Sequence, residues 1–142
     1  LDSENNILLF SNYLPGGGVE EGENLQDALK RECLEEVGAE IGSTKELGTI
    51  IQYRDFIQKK YEIHGFLTRL VSVTEATTKQ EDEVGHKAHF MTIPEAKKML
   101  KERIEEMENS STPTDSEEYQ SRYYHRMTSL AFIEKAEQLL SH

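Results

Sequence analysis

The chain has little of several residue types, and each shortage excludes a class of protein. Its 142 residues include one cysteine, three prolines and no tryptophan. A single cysteine excludes a disulfide within the chain and is typical of a reducing cytoplasm. No run of residues approaches the ~20 apolar positions of a membrane span, and the first residues lack a signal-peptide pattern. We therefore expect a cytoplasmic protein with no membrane partner.

Positive charge is also scarce. Lys and Arg number 16 against 27 Asp and Glu, which gives a formal net charge of −11 at pH 7. Binding to a nucleic-acid polymer needs clustered Lys and Arg that neutralise phosphates, so we expect no such partner. An acidic protein can still act on a small phosphate compound when a bound cation supplies the positive charge.

The order of patterns along the chain predicts alternating strands and helices. With 36% hydrophobic and 30% charged residues, the composition suits one globular domain over residues 1–142. The pattern of residues 1–6 predicts the end of one strand, which is incomplete, followed by a turn. Hydrophobic periodicity and cap signals predict the following elements. The predicted strands cover residues 7–10, 47–53, 61–73 and 86–92, and the predicted helices cover residues 25–37, 93–107 and 120–140, with a linker over 109–118.

Three glutamates crowd one side of the first predicted helix, between the N-cap candidate Asn24 and the stop signal Gly38. At about 100° per residue, Glu32, Glu35 and Glu36 fall within an arc of roughly 100°. Carboxylates held this close repel one another and raise each other's pKa. A hard divalent cation relieves that conflict, because Mg²⁺ and Mn²⁺ prefer oxygen ligands. The alternative is a solvated acidic helix face, which is common and has no function.

The spacing of the surrounding residues favours the metal site. The segment 17–39 resembles the Nudix box, which is a glycine, five residues, a glutamate, seven residues and then Arg-Glu-apolar-x-Glu-Glu-x-Gly-apolar. Its fixed positions hold Gly17, Glu23, Arg31, Glu32, Glu35, Glu36 and Gly38, and its two apolar positions hold Cys33 and Ala39. Cys33 is on the packing face of the helix, so we expect a buried, inert thiol.

The resemblance implies a role for each matching residue. Glu35 and Glu36 would be the main metal ligands, Glu32 would support a second cation or hold a water molecule, and the Gly16 carbonyl would add a further ligand. Arg31 would orient a carboxylate through charge-assisted hydrogen bonds. The implied catalytic group is therefore Glu32, Glu35, Glu36 and Arg31, with Mg²⁺ or Mn²⁺ as cofactor, and Glu23 would brace the loop against the helix.

The resemblance also implies a fold and a reaction. The fold would be an α/β Nudix-type αβα sandwich with a mixed β-sheet, a loop-helix motif and a C-terminal helix. The reaction would be Mg²⁺-dependent hydrolysis of the pyrophosphate linkage in a nucleoside diphosphate joined to another group, with a nucleoside triphosphate or a nucleotide sugar favoured. Many relatives dimerise, so the resemblance allows a homodimer through the last helix and leaves the oligomeric state open. The alternative is a non-catalytic module of the same fold that binds a nucleotide, and such modules tend to lose the acids that this chain keeps.

Outside the box the signals are weaker. Relatives often add a glutamate from a distant loop, which joins the metal site or serves as general base. Glu81 and Glu83 are the candidates, with Glu83 favoured for the catalytic role and Glu81 as a substrate contact; the alternative is a solvent-facing acidic loop. Tyr53, Phe56 and Tyr61 are candidates for contacts with a base, with core packing as their alternative.

Three features weaken particular substrate assignments. Arg54 stands where many ADP-ribose hydrolases have a proline, and no coenzyme-A-type signature precedes Pro15. Phe56 is only loosely similar to the tyrosine of some dinucleoside polyphosphate hydrolases. The motif therefore predicts the reaction and leaves the substrate open, because selectivity lies in variable loops.

Overall fold

The computed structural model describes residues 1–54, 57–74, 87–111 and 114–141 and shows an α/β fold. In the described residues, helices and strands follow one another as β1 (Ile7–Phe10), α1 (Leu25–Val37), β2 (Ala39–Arg54), β3 (Lys59–Val73), β4 (Ala88–Met91), α2 (Ile93–Glu108) and α3 (Glu117–Leu140). Strand β1 pairs antiparallel with β4, and β2 pairs with β3. The predicted α/β class is confirmed. Of the helices in the described ranges, none combines the length and the apolar composition that a membrane span needs.

The chain forms two compact units. The first consists of Leu1–Lys45 and Leu67–Ile93, and the second consists of Glu46–Phe66 and Pro94–His142. The first unit contains α1 and the β1–β4 pair, and the second contains most of α2 and all of α3.

Helix α1 begins and ends where its cap residues predict. Asn24 has an extended backbone, and its side chain accepts a hydrogen bond from the Asp27 N–H at 2.8 Å. This bond satisfies one of the donors that the first helical turn leaves unpaired. Gly38 ends the helix with φ of 60°, a left-handed conformation that favours glycine, and its N–H donates to the Leu34 carbonyl at 3.1 Å. The acidic residues of α1 are therefore held on a helix with defined ends.

The apolar face of α1 packs into the core of the first unit. Cys33 and Val37 are buried, and Leu29 packs against them from a partly buried position. Their neighbours in this core come from the strands and are Leu8, Ala39, Ile41 and Ala88. Burial raises the pKa of the Cys33 thiol to about 11, with a smaller contribution from the Glu36 carboxylate. The thiol is therefore protonated at neutral pH, in agreement with the predicted inert role.

The first residues of the chain lie beside β3 and then turn. The Leu1 ammonium donates to the Thr68 carbonyl at 2.8 Å, and the Leu70 N–H donates to the Leu1 carbonyl at 2.9 Å. The Asp2 carboxylate accepts hydrogen bonds from the backbone N–H groups of Glu4 and Asn6, which closes the turn. The sequence predicts this turn, because Asp and Asn side chains bond to nearby backbone groups.

The second unit is held together by α2 and α3. Ser116 caps α3 by accepting a hydrogen bond from the Tyr119 N–H at 3.1 Å, so α3 begins at Glu117 and not at residue 120 as expected. The Tyr119 hydroxyl donates to the Met107 carbonyl at 3.1 Å, and Lys97 donates to Glu137 at 2.8 Å. The buried apolar residues of the two helices are Ala96, Leu100, Ile104, Phe132, Ile133 and Ala136.

A glycine of β3 allows α3 to approach the strand closely. A Cβ atom at Gly65 would overlap the Phe132 ring, with Cζ only 2.7 Å away. We therefore expect Gly65→Ala to lower the free energy of unfolding by about 1–3 kcal/mol through overpacking. Urea unfolding of Gly65→Ala measures this loss. In a Phe132→Leu background, Gly65→Ala should lower the free energy of unfolding by less than it does in the wild type. An equal loss in both backgrounds would contradict the assigned contact between Gly65 and Phe132.

Candidate active site

Three consecutive glycines before α1 each contact a different side chain of that helix. The Gly16 N–H donates to the Glu36 Oε1 atom at 2.7 Å. Gly17 lies so close to the Glu32 carboxylate that an added Cβ would overlap it, with Oε2 at 2.6 Å. The Gly18 carbonyl accepts a hydrogen bond from Arg31 Nη2 at 2.9 Å. The loop is thus fixed along one face of α1, although 13 to 20 residues separate the bonded partners.

Arg31 joins the carboxylates of the loop to those of the helix. Its Nε and Nη2 atoms donate to the two oxygens of Glu23, each at 2.9 Å, in the bidentate geometry that favours Arg over Lys. Its Nη1 atom donates to Glu32 at 2.8 Å and to Glu35 at 3.3 Å. Glu20 is 3.8 Å from the same Nη1 atom. One guanidinium therefore contacts four carboxylates.

These contacts shift the ionisation of both partners of the bidentate pair. The hydrogen bonds from Arg31, with a further bond from the Glu20 N–H, lower the pKa of Glu23 to about 2. The bonds to Glu23 and then to Glu32 raise the pKa of Arg31. Glu23 is thus ionised at any pH near neutrality, and it connects the loop to the helix through Arg31, which is the bracing geometry that the sequence suggests.

Glu36 has the opposite shift. Burial raises its pKa above the ordinary value, the bond from the Gly16 N–H opposes that shift, and the negative charges of Glu32 and Glu35 add to it. The single guanidinium therefore does not neutralise the group, since it contacts four carboxylates and Glu36 adds a fifth negative charge. The site has an excess of negative charge that a cation would relieve.

The donor atoms suit a hard divalent cation, although they do not converge on one point. Within the described ranges, no three His, Cys, Asp or Glu side chains are already placed to hold a metal ion. The reason lies in the present contacts: Arg31 binds Glu32 and Glu35, while Glu36 accepts the Gly16 N–H. The side chain of Glu35 is 61% exposed, so it can rotate away from Arg31 at little cost. Carboxylate oxygens on adjacent helical turns are the ligand type that Mg²⁺ and Mn²⁺ bind.

The predicted site residues fall into three groups. Gly16, Arg31, Glu32, Glu35 and Glu36 come together in the first unit. Tyr53 and Tyr61 lie in the second unit, where Tyr53 is 62% exposed and Tyr61 contacts an arginine. The remaining candidates lie outside the described residues, and they are Phe56, Glu81 and Glu83.

Two contributors to the site do not follow from the motif pattern. Glu20 adds a fourth carboxylate near Arg31, and the Gly18 carbonyl accepts from that same side chain. The Glu20-x-x-Glu23 spacing is the sequence signal for the Glu20 carboxylate, because the Glu20 N–H donates to Glu23 at 3.0 Å in a tight turn. The Gly18 carbonyl has no such sequence signal, since it is a backbone group of a glycine.

Comparison with known proteins identifies the family of the chain. The family model for the NUDIX domain matches residues 2–111, which is most of the chain and includes the whole glycine loop and α1. A search of curated proteins finds no match to the chain at a stringent threshold. Nudix proteins hydrolyse pyrophosphate bonds and generally use divalent metal ions. The chain belongs to the Nudix family and is a hydrolase of the Nudix type.

Proposed function

We propose that this protein hydrolyses the pyrophosphate linkage of a nucleoside diphosphate joined to another group, with Mg²⁺ as the cation and Mn²⁺ as an alternative. A nucleoside triphosphate or a nucleotide sugar is the favoured substrate. The observation that supports this most is the fixing of the glycine loop on the acidic face of α1 by Gly16, Gly17 and Gly18. A solvated acidic helix has no need of such a loop.

The cation would be held by oxygen atoms of α1 and of the loop. Glu35 and Glu36 are the main proposed ligands, Glu32 is a supporting ligand, and the Gly16 carbonyl is an additional one. When bound, the cation supplies positive charge at the pyrophosphate and lowers the pKa of a coordinated water molecule. The excess of carboxylates supports this assignment, because the protein alone does not balance that negative charge. Burial raises the pKa of Glu36, and the negative charges of Glu32 and Glu35 add to that shift, which a bound cation would oppose.

Arg31 and Glu23 would act on the ligands and not on the substrate. Arg31 donates to Glu32 and Glu35 at once and is itself oriented by both oxygens of Glu23. Such outer partners fix the direction in which a ligand presents its oxygen atoms. We assign Arg31 as the positioning residue of the catalytic group and Glu23 as its anchor.

The other proposed roles rest on sequence alone. Glu83, with Glu81 beside it, is the proposed general base, and Tyr53, Phe56 and Tyr61 are the proposed contacts for the base of the substrate. We further propose a single catalytic domain, a cytoplasmic location and a homodimer that acts on a small-molecule nucleotide.

A panel of nucleotides tests the reaction. Nucleoside triphosphates, nucleotide sugars and dinucleoside polyphosphates are each incubated with the protein and Mg²⁺, and the phosphorylated products are separated and quantified. We expect turnover of at least one compound, and we expect a chelator to abolish it because the proposed ligands then hold no cation. Clear nucleotide binding without turnover of any compound would instead favour the non-catalytic module.

A further inference from the structure

A buried arginine in the second unit lies against two tyrosine rings. Arg54, the last residue of β2, has only 9% of its surface exposed. Its guanidinium carbon is 4.2 Å from the centroid of the Tyr61 ring and 5.5 Å from that of the Tyr124 ring. The two rings come from β3 and α3, so three separate elements of the unit meet at this cation.

The polar contacts of Arg54 leave its charge unbalanced. Its Nη2 atom donates to Gln52 Oε1 at 3.5 Å, which is a long bond to a neutral acceptor. Gln52 is held in that orientation because its amide nitrogen donates to Thr128 Oγ1 and to the Tyr124 carbonyl. The Nε atom of Arg54 is buried and has no hydrogen-bond partner among the residues that the structure describes. In the described part of the chain, no carboxylate forms an ion pair with Arg54.

This arrangement is costly unless an anion completes it. A buried charge that has lost its water needs an ionic partner or several good hydrogen bonds, and a buried unpaired donor adds to the cost. Contact with aromatic faces compensates only part of that loss. The unbalanced charge also affects its surroundings, because desolvation and the positive charge of Arg54 together lower the pKa of His125.

We propose that Arg54, oriented by Gln52, Tyr61 and Tyr124, binds a phosphate group. The guanidinium carries N–H donors in a planar fork that matches the oxygens of phosphate. The neighbouring Gln52 side-chain oxygen accepts from it without cancelling its charge, because the amide is neutral. The choice of phosphate over other anions rests on the proposed action of the protein on pyrophosphate compounds. The bound group is then either free phosphate or the phosphate of a nucleotide whose base stacks on a tyrosine ring.

Titration of the full chain with inorganic phosphate in the presence of a chelator tests the site. The chelator removes metal ions, so binding is measured separately from turnover, and chloride keeps the ionic strength constant. We expect Arg54→Met to weaken phosphate binding about 10- to 100-fold, which is the loss of one or two charge-assisted hydrogen bonds. Arg54→Lys should retain weaker binding, because it keeps the charge and loses the fork. The matched control is Arg122→Met, which removes an exposed arginine of α3 and should leave binding unchanged.

A nucleoside monophosphate in place of phosphate identifies the source of the group. Tighter binding than inorganic phosphate indicates a nucleotide, and equal binding indicates free phosphate. Acetate serves as the control anion. If acetate binds as tightly as phosphate, the assignment of the site to a phosphate group is overturned.

The melting temperature distinguishes a binding role from a structural one. If Arg54 serves a ligand, Arg54→Met removes an unbalanced buried charge and should leave the melting temperature unchanged or higher. If Arg54 only holds the tyrosine rings, the variant melts at a lower temperature and phosphate does not stabilise the wild type, which would overturn the proposal. If Arg54→Met does not fold, NMR of the wild type replaces it. The Nε–H signal of Arg54 is assigned by its loss in Arg54→Lys. If saturating phosphate does not shift this signal, the proposed phosphate site is also overturned.

Discussion

We expect Glu35→Gln and Glu36→Gln each to lower kcat/KM by at least about 100-fold. Removing a residue that only supports a metal ligand typically costs about 10- to 100-fold, so removing a ligand should exceed that range. Glutamine keeps the size of the side chain and can still accept a hydrogen bond, but it loses the charge that attracts a cation. Steady-state kinetics with the best substrate of the panel, at saturating Mg²⁺, measures the loss.

The structure indicates that these variants keep their fold. Glu35 is 61% exposed, so its substitution leaves no buried group unpaired. Glu36 has a raised pKa, which means that folding favours its neutral form over its charged form. A neutral glutamine at this position should therefore cost no stability and still accept the Gly16 N–H, and circular dichroism melting checks this.

The matched control is Glu21→Gln, the same chemical change at an exposed position of the same loop. We expect this variant to retain the wild-type kcat/KM. Full activity in both Glu35→Gln and Glu36→Gln would contradict the assignment of the metal ligands, whatever the behaviour of the control.

Local chemistry explains why the position of α1 is predictable from sequence. Asn24 and Gly38 act on backbone groups within a few residues of themselves, so their effect is independent of the rest of the fold. The stripe of Leu29, Cys33 and Val37 likewise predicts the packed face, because a helix places these residues on one side. The same regularity predicts that the three glutamates share one sector, with Glu32 and Glu36 at the edge of the packed stripe.

Strand β2 shows where local chemistry stops being informative. The sequence predicts a strand over 47–53, yet β2 begins at Ala39, immediately after the helix cap. Its first half contains Gly42 and several exposed polar residues, which have low strand propensity. Pairing with β3 overrides that propensity, and Gly42 packs beside Val71 of β3, where a Cβ atom would lie 3.3 Å from a methyl carbon. Such pairing depends on residues distant in sequence.

The candidate site also has a part that is predictable from sequence and a part that is not. Sequence spacing predicts that Arg31 and the three glutamates of α1 lie together, since one helix carries them all. It does not predict that the Gly16 N–H reaches Glu36 or that Gly17 touches Glu32, because both contacts bridge at least 15 residues of loop and helix. For a glycine, the sequence shows only that a side chain is absent, and the structure shows what occupies that space.

A substitution at Gly17 is expected to have the second large effect on activity. We expect Gly17→Ala to lower kcat/KM by about 100-fold, because the added methyl group would overlap the Glu32 carboxylate and displace it. A shift of about 1 Å in a catalytic group is enough for a loss of that size. No stability loss is expected, since the loop is exposed and alanine restricts the unfolded chain more than glycine does.

The neighbouring glycine provides the control for Gly17→Ala. Gly18→Ala makes the same change one residue later, where no described atom lies within 4 Å of the new Cβ and the backbone has no positive φ. Its kcat/KM should stay within about twofold of wild type, because surface changes of this kind have small effects. If the clash with Glu32 is the cause, Gly17→Ala should have little further effect in a Glu32→Ala background, where the two changes are not additive. Equal activity of the two single glycine variants, or full additivity with Glu32→Ala, would show that the loop does not act through Glu32.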